Sequence, residues 1–382
     1  MAMKIGQIES VFLNIVRSGI WDREFDVPND FCQWREVVNL AKAQSLLGIV
    51  SNEILKNNGK ITRMENDLRL KLRSFKVSNI LSVNKVNDTT VEVFNNLKVN
   101  GFYPILLKGS GLACNYPHPE LRQCGDIDVF VGEEDYVKSY ELFKQLTDKI
   151  DDVKDIWVDK NYSMNINGVE VEIHRHADEH PSLKLDRIFQ KFSKEYLFQN
   201  SVKFTIGDTE INTPSDTFNA LYVFMHMFRH FMIRGVGLRQ VCDWVLFLAK
   251  HKDGIDQDSL KDILKQLRLF RPWQDFAAMA VSYLGASPVD IPFYKEGIRD
   301  RRQRKIIIRI LTEGNFGKQT AYYKDRSDNY LIVKLTSFFR HMGRFLQLAS
   351  LYPFLVFPYM STIIKFGFGG IGRDIKAKIN GR

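Results

Sequence analysis

Two aspartates one residue apart, Asp126 and Asp128, stand at the head of an apolar run, Ile127, Val129, Phe130 and Val131. Strand side chains alternate faces, so a strand here turns both carboxylates to one side and Ile127, Val129 and Val131 to the other. The apolar side demands a core. The acidic side resists one, because neighbouring carboxylates repel unless a cation lies between them. Hard oxygen ligands on a rigid strand suit magnesium, which takes its remaining ligands from water and substrate phosphates. Upstream, the short apolar stretch Tyr103–Leu107 runs into Lys108, Gly109 and Ser110, a second strand followed by a small-residue turn.

The rest of the chain frames this centre. Residues 4–100 carry apolar positions at helical spacing, among them Trp34, Val37, Val38, Ala41, Leu46, Leu47 and Val50. A long amphipathic stretch from about Asn66 stops at Asn100-Gly101. Residues 102–213 read as mixed α and β. A helix is predicted at Glu133–Leu146, its first turn acidic as the helix dipole favours. Strands are predicted at 155–158, 163–166 and 169–174, the last two joined by an Asn167-Gly168 hairpin turn. From Pro214 onward the pattern is helical, at about 216–233, 238–250, 257–269, 272–284, 300–312 and 330–350, with Thr213 or Ser215 as the first cap. The expected organisation is α+β: N-terminal helices over 1–100, a small mixed-sheet core over 101–213, and a C-terminal helical domain with a basic tail over 214–382.

Composition excludes several classes. Four scattered cysteines, Cys32, Cys114, Cys124 and Cys242, show no ligand spacing and no disulfide frame, which points to a reducing compartment. The first ten residues hold no apolar export core, so a cytoplasmic location is expected. The apolar stretch 351–364 contains Pro353 and Pro358 and is too short to span a bilayer, which needs about 20 residues. Residues 299–382 carry 17 Lys and Arg against 5 Asp and Glu, whereas the whole chain is +9. This basic block suits weak contact with nucleic acid or with an anionic membrane surface at the inner face, or is simply a solvated helical surface.

Phosphoryl chemistry usually takes a third carboxylate from a neighbouring strand. Glu170 and Glu172 share a face of the alternating strand Val169–His174, and either serves. His174 follows on that face as an accessory candidate. His226 and His230 stand four apart on a helix, but without the glutamate of the zinc-protease pattern. Arg239 and Asp243 are spaced to pair along one helix.

The order Leu106-Leu107-Lys108-Gly109-Ser110, then Arg122, Asp126-Ile127-Asp128, then Val171-Glu172-Ile173-His174, then His226, His230 and the stretch 238–244, resembles the polymerase-beta-type nucleotidyltransferase superfamily. It is most similar to a bacterial branch of uncharacterised nucleotidyltransferases, chiefly over residues 100–250. The resemblance implies that Gly109 and Ser110 hold a triphosphate, that Asp126 and Asp128 bind metal, and that Glu172, with Glu170 as rival, is the third acidic ligand. Lys108 and Arg122 become the phosphates' charge partners. The implied reaction is in-line attack of an acceptor hydroxyl on the α-phosphorus of a nucleoside triphosphate such as ATP. Two Mg2+ ions, or Mn2+ in their place, would stabilise the attacking and leaving oxygens. The loop from Ser110 to Asp126, holding Pro117 and Pro119, is longer than in the shortest superfamily members. The acceptor is not legible. A nucleotide-binding or partner-recruiting module of the same fold, without catalysis, is the alternative.

Overall fold

A computed structural model of the chain describes residues 5–28, 30–61, 63–147, 149–150, 159–198, 201–315 and 330–361. The strand expected at 155–158 and much of the basic C-terminal segment lie outside them. Four helices open the chain: α1 (Gln7–Trp21), α2 (Trp34–Ala43), α3 (Leu47–Lys56) and the long α4 (Asn66–Val99). Then come β1 (Ile105–Leu106), the single turn α5 (Ser110–Ala113), β2 (Asp126–Phe130) and α6 (Glu133–Leu146). The antiparallel pair β3 (Asn161–Ile166) and β4 (Val169–His174) turns at Asn167 and Gly168. Both residues have positive φ, 54° and 76°, as a two-residue hairpin turn matching the strand twist requires.

The sheet runs in the order β1-β2-β4-β3. β2 and β4 are parallel, in a register that sets Asp126 beside Glu170 and Asp128 beside Glu172. Ile127, Val129, Val171 and Ile173 all face the other way. They pack on Val93, Phe94 and Leu97 of α4 and on Tyr136 and Phe143 of α6. This is the apolar side that alternation demanded. The acidic face is left for a different neighbour.

That neighbour is helical. After α7 (Leu183–Tyr196) and the hairpin β5 (Val202–Ile206) with β6 (Thr209–Thr213), α8 (Asp216–Ile233) begins with Ser215 Oγ accepting the Phe218 N–H at 3.3 Å. Helices α9 (Leu238–His251), α10 (Gln257–Gln266), α11 (Phe270–Leu284), α12 (Asp300–Glu313) and α13 (Tyr330–Ala349) follow. Phe224 is the hub, its ring 5.1 Å from Trp244, 5.0 Å from Trp273 and 5.8 Å from Phe276.

One apolar core joins these helices to α1–α3. Its polar seam is Gln44, fully buried: its Oε1 accepts the Leu238 N–H at 2.8 Å and its Nε2 donates to Ile310 O at 3.0 Å. Trp21 Nε1 donates to Leu284 O at 2.7 Å. Gly48 of α3 lies against the Leu121 carbonyl with no room for a Cβ, and the Leu47 N–H donates to Gln123 Oε1 at 2.8 Å. The first helices thereby fix the loop that delivers β2. Several arginines of the basic segment are held internally: Arg302 by Asp275 and Arg344 by Glu313 and the Met232 carbonyl. None of the helices among the described residues is long and apolar enough to cross a membrane.

Candidate active site

β1 and β2 bring the two halves of the opening motif together. The Leu107 N–H donates to Asp128 O at 3.0 Å, which carries Lys108 across the end of the sheet. Lys108 Nζ then reaches Asp128 Oδ1 at 3.0 Å. Gly109 turns the chain at φ 62° and ψ −124°, a conformation open to glycine, and packs toward the Cys124 sulfur and the Asp126 carbonyl. The Ser110 hydroxyl is buried and donates to Asn87 Oδ1 at 2.6 Å, fastening the corner to α4.

The β4 register supplies the rest. His174 Nε2 lies 3.0 Å from Asp128 Oδ1 and 3.3 Å from Glu172 Oε2. Asn161 Nδ2 of β3 donates to the same Glu172 oxygen at 3.0 Å. Among the described residues, Asp128, Glu172 and His174 form a cluster whose ligand atoms lie within 4.8 Å of one another. Asp126 stands outside that cluster but lines the same cavity, of about 470 Å3, together with Lys108, Gly109, Asp128 and Glu172. Of the two glutamates, Glu172 lines it and Glu170 does not.

The neighbouring carboxylates differ electrically. Burial disfavours the Asp128 charge, but Lys108 and the hydrogen bond from His174 more than compensate and hold its pKa well down. Asp126 is pushed up, first by loss of solvent in the cleft and then by the charge of Asp128. Lys108 is held firmly cationic: burial opposes its charge, and Asp128 outweighs burial. His174 is likewise raised, burial being overcome by its hydrogen bonds to Asp128 and Glu172.

Helix α8 supplies another wall, in which the marked pair His226 and His230 is joined by residues that no motif marks. Val223, His226, Met227, His230 and Ile233 recur at helical spacing along α8 and all line the cavity. His226 Nδ1 is 3.3 Å from Asp178 Oδ2, and its Nε2 is 3.0 Å from His230 Nε2, so each histidine has a protein partner. Burial lowers His226 to about 4, leaving the ring neutral near neutral pH. Arg229, Arg234, Arg239 and Gln240 complete this side. Arg122 lines the cavity as well, but two of its nitrogens are taken by Asp243: Nε to Oδ1 at 2.7 Å and Nη2 to Oδ2 at 2.9 Å. Asp243 therefore pairs across the fold with Arg122, not along its helix with Arg239, whose Nη1 bonds the Gln123 carbonyl instead. Tertiary burial wins because both Arg122 and Asp243 are only 3% exposed.

Carboxylate oxygens and arginines lining one cavity can hold a cation and a polyanion side by side. Comparison with known proteins agrees in kind. No curated protein matches the chain. The crystal structure of an antigenic nucleotidyltransferase-like protein from Paracoccidioides brasiliensis covers 54% of this chain and 93% of its own, at 13% identity and a TM-score of 0.31. Residues 32–285, a span that includes the whole sheet, α8 and α9, match the family described as uncharacterised nucleotidyltransferases, and the chain belongs to that family.

Proposed function

We propose that the protein transfers a nucleoside monophosphate from a nucleoside triphosphate to an acceptor hydroxyl, releasing pyrophosphate. The observation that carries this reading is the convergence of Asp126, Asp128 and Glu172 with Lys108 and Gly109 on one cavity that arginines also line. The donor set fits a divalent cation: three hard carboxylates, with Asn161 orienting one of them. Asp126, Asp128 and Glu172 would hold Mg2+, or Mn2+. The ion, bound singly or as a pair, supplies charge stabilisation to the phosphate oxygens.

The chain's own groups account for the remainder. Lys108, fixed as a cation against Asp128, neutralises the triphosphate at the Gly109 corner. Ser110 holds that corner to α4 through Asn87. Arg122 keeps one nitrogen, Nη1, without a protein partner and lends it to the same polyanion. The acceptor oxygen forms its bond to the α-phosphorus as the bond to the bridging oxygen breaks. Pyrophosphate leaves with that electron pair, and Glu172 takes the hydroxyl proton.

Incubation with each of the four labelled nucleoside triphosphates, magnesium and cell extract tests the reading. The wild type labels an acceptor, and Asp126→Asn and Asp128→Asn each reduce labelling by more than about 100-fold. Chelation of divalent ions does the same. Undiminished labelling by both variants would show that these carboxylates do not carry the reaction; nucleotide binding without labelling would favour a non-catalytic module.

A further inference from the structure

A second cavity, of about 830 Å3, adjoins the first. Arg229 and Ile233, one turn apart on α8, line both. The other walls come from residues 179–184 leading into α7, from Lys160 beside β3, and from Phe357 in the helical stretch 353–361. Two polar atoms of these walls are buried without a protein partner, Nε2 of His180 and Nε of Arg229.

Both are hydrogen-bond donors. His180 is only 5% exposed. Its Nδ1 accepts the Ser182 N–H at 3.1 Å, which assigns the ring proton to Nε2. Burial lowers its pKa to about 4, so the neutral ring keeps that single N–H near neutral pH. Arg229 stays charged, anchored by Nη2 to Asp178 Oδ1 at 3.2 Å.

The carboxylates in these walls are already engaged. Glu179 pairs with Lys160, and Asp186 accepts the His180 backbone N–H at 2.8 Å and a hydrogen bond from Gln190 Nε2 at 3.2 Å. Lys184 adds a further cation at the rim. Two buried donors left without acceptors, beside carboxylates that are already engaged and with Lys184 at the rim, favour an oxygen-rich anion. Phe357, 62% exposed, offers it an apolar edge.

We propose that this second cavity binds the anionic end, a phosphate or a carboxylate, of the hydroxyl compound that accepts the nucleotidyl group. Arg229 stands between that anion and the carboxylate-bearing cavity. The assignment rests on the nucleotidyl-transfer reading above, and it gives the acceptor a site separate from the triphosphate.

Glycerol 3-phosphate and glycerate serve as probes, with glycerol as the neutral control. Each is titrated calorimetrically at millimolar concentrations into the full chain, alone and with saturating magnesium nucleoside triphosphate. At least one anion binds, glycerol binds about tenfold more weakly or not at all, and the bound nucleotide leaves the anion in place. Lys184→Glu and His180→Phe each weaken the anion by about fivefold or more, while nucleotide affinity stays within about twofold. Lys184 is exposed, so its variant tests the site without disturbing the core. Displacement of the anion by nucleotide, or variants that bind it as the wild type does, overturn the proposal. Failure of both anions while nucleotide still binds overturns it alone, whereas failure of all four magnesium nucleoside triphosphates to bind the wild type overturns the nucleotide reading itself.

Discussion

Replacing Asp243 by leucine removes one side of a buried ion pair and leaves the other in place. The Asp243 carboxylate accepts three hydrogen bonds: from Arg122 Nε and the Tyr116 hydroxyl, each at 2.7 Å, and from Arg122 Nη2 at 2.9 Å. Arg122, Tyr116 and Asp243 are each at most 3% exposed. An unpaired guanidinium there keeps its desolvation cost and loses its counter-charge, which amounts to about 3–5 kcal/mol. Against a total stability of about 5–15 kcal/mol, that is a large fraction. Guanidinium unfolding read by circular dichroism measures it as a lower midpoint at unchanged slope. Adding Arg122→Met to Asp243→Leu replaces the pair by apolar volume and recovers most of the loss, because the two effects are not additive. A loss below about 1 kcal/mol in Asp243→Leu refutes the reasoning, as does a double variant as unstable as the summed singles.

Two further outcomes follow from the same energetics. His180, His226 and His341 are lowered to about 4 by burial, while Asp128, Asp178 and Asp243 are held below the ordinary carboxylate value by their partners. As pH falls below about 6.5 the unfolded chain binds histidine protons that the folded chain refuses, and below about 4 the paired carboxylates add their loss. Urea midpoints therefore decline between pH 7.5 and 4.5, and a flat profile contradicts the burial argument. At Gly109, φ 62° with ψ −124° is strained for any residue bearing a Cβ, although 3.4 Å of space to the Cys124 sulfur leaves room for one. Gly109→Ala costs about 1–3 kcal/mol in unfolding experiments, and an unchanged midpoint shows that the corner relaxes freely.

The sheet was legible because alternation is local. Ile127, Val129, Val171 and Ile173 announce the core face, and Asp126, Asp128 and Glu172 the other, within single strands. What alternation cannot show is which strands pair. Glu170 and Glu172 each gain an aspartate neighbour from the parallel register, Asp126 and Asp128 in turn, and only the tertiary cavity, which Glu172 lines and Glu170 does not, separates them. Helix α7 and the β5–β6 hairpin carry only short signals, Leu185, Phe189 and Phe192 at helical spacing and a Gly207 turn, and emerge as elements in the structure alone. The α8 wall was hidden for a different reason. His226 and His230 stand out by their spacing, but Val223, Met227 and Arg229 lie on a helix buried nearly all round, where spacing alone does not distinguish a core position from a cavity lining. Arg122 and Asp243 are 121 residues apart, and no local pattern pairs them.

The Gln44 seam has a consequence for how the chain is made. Its amide reaches Ile310, 266 residues further along. At about 5–20 residues per second, the ribosome delivers that partner roughly 13–50 s after Gln44 has been synthesised. Throughout that interval the nascent helices expose the surface they later bury against α12, an opening for chaperones and for aggregation that ends only once α12 has emerged.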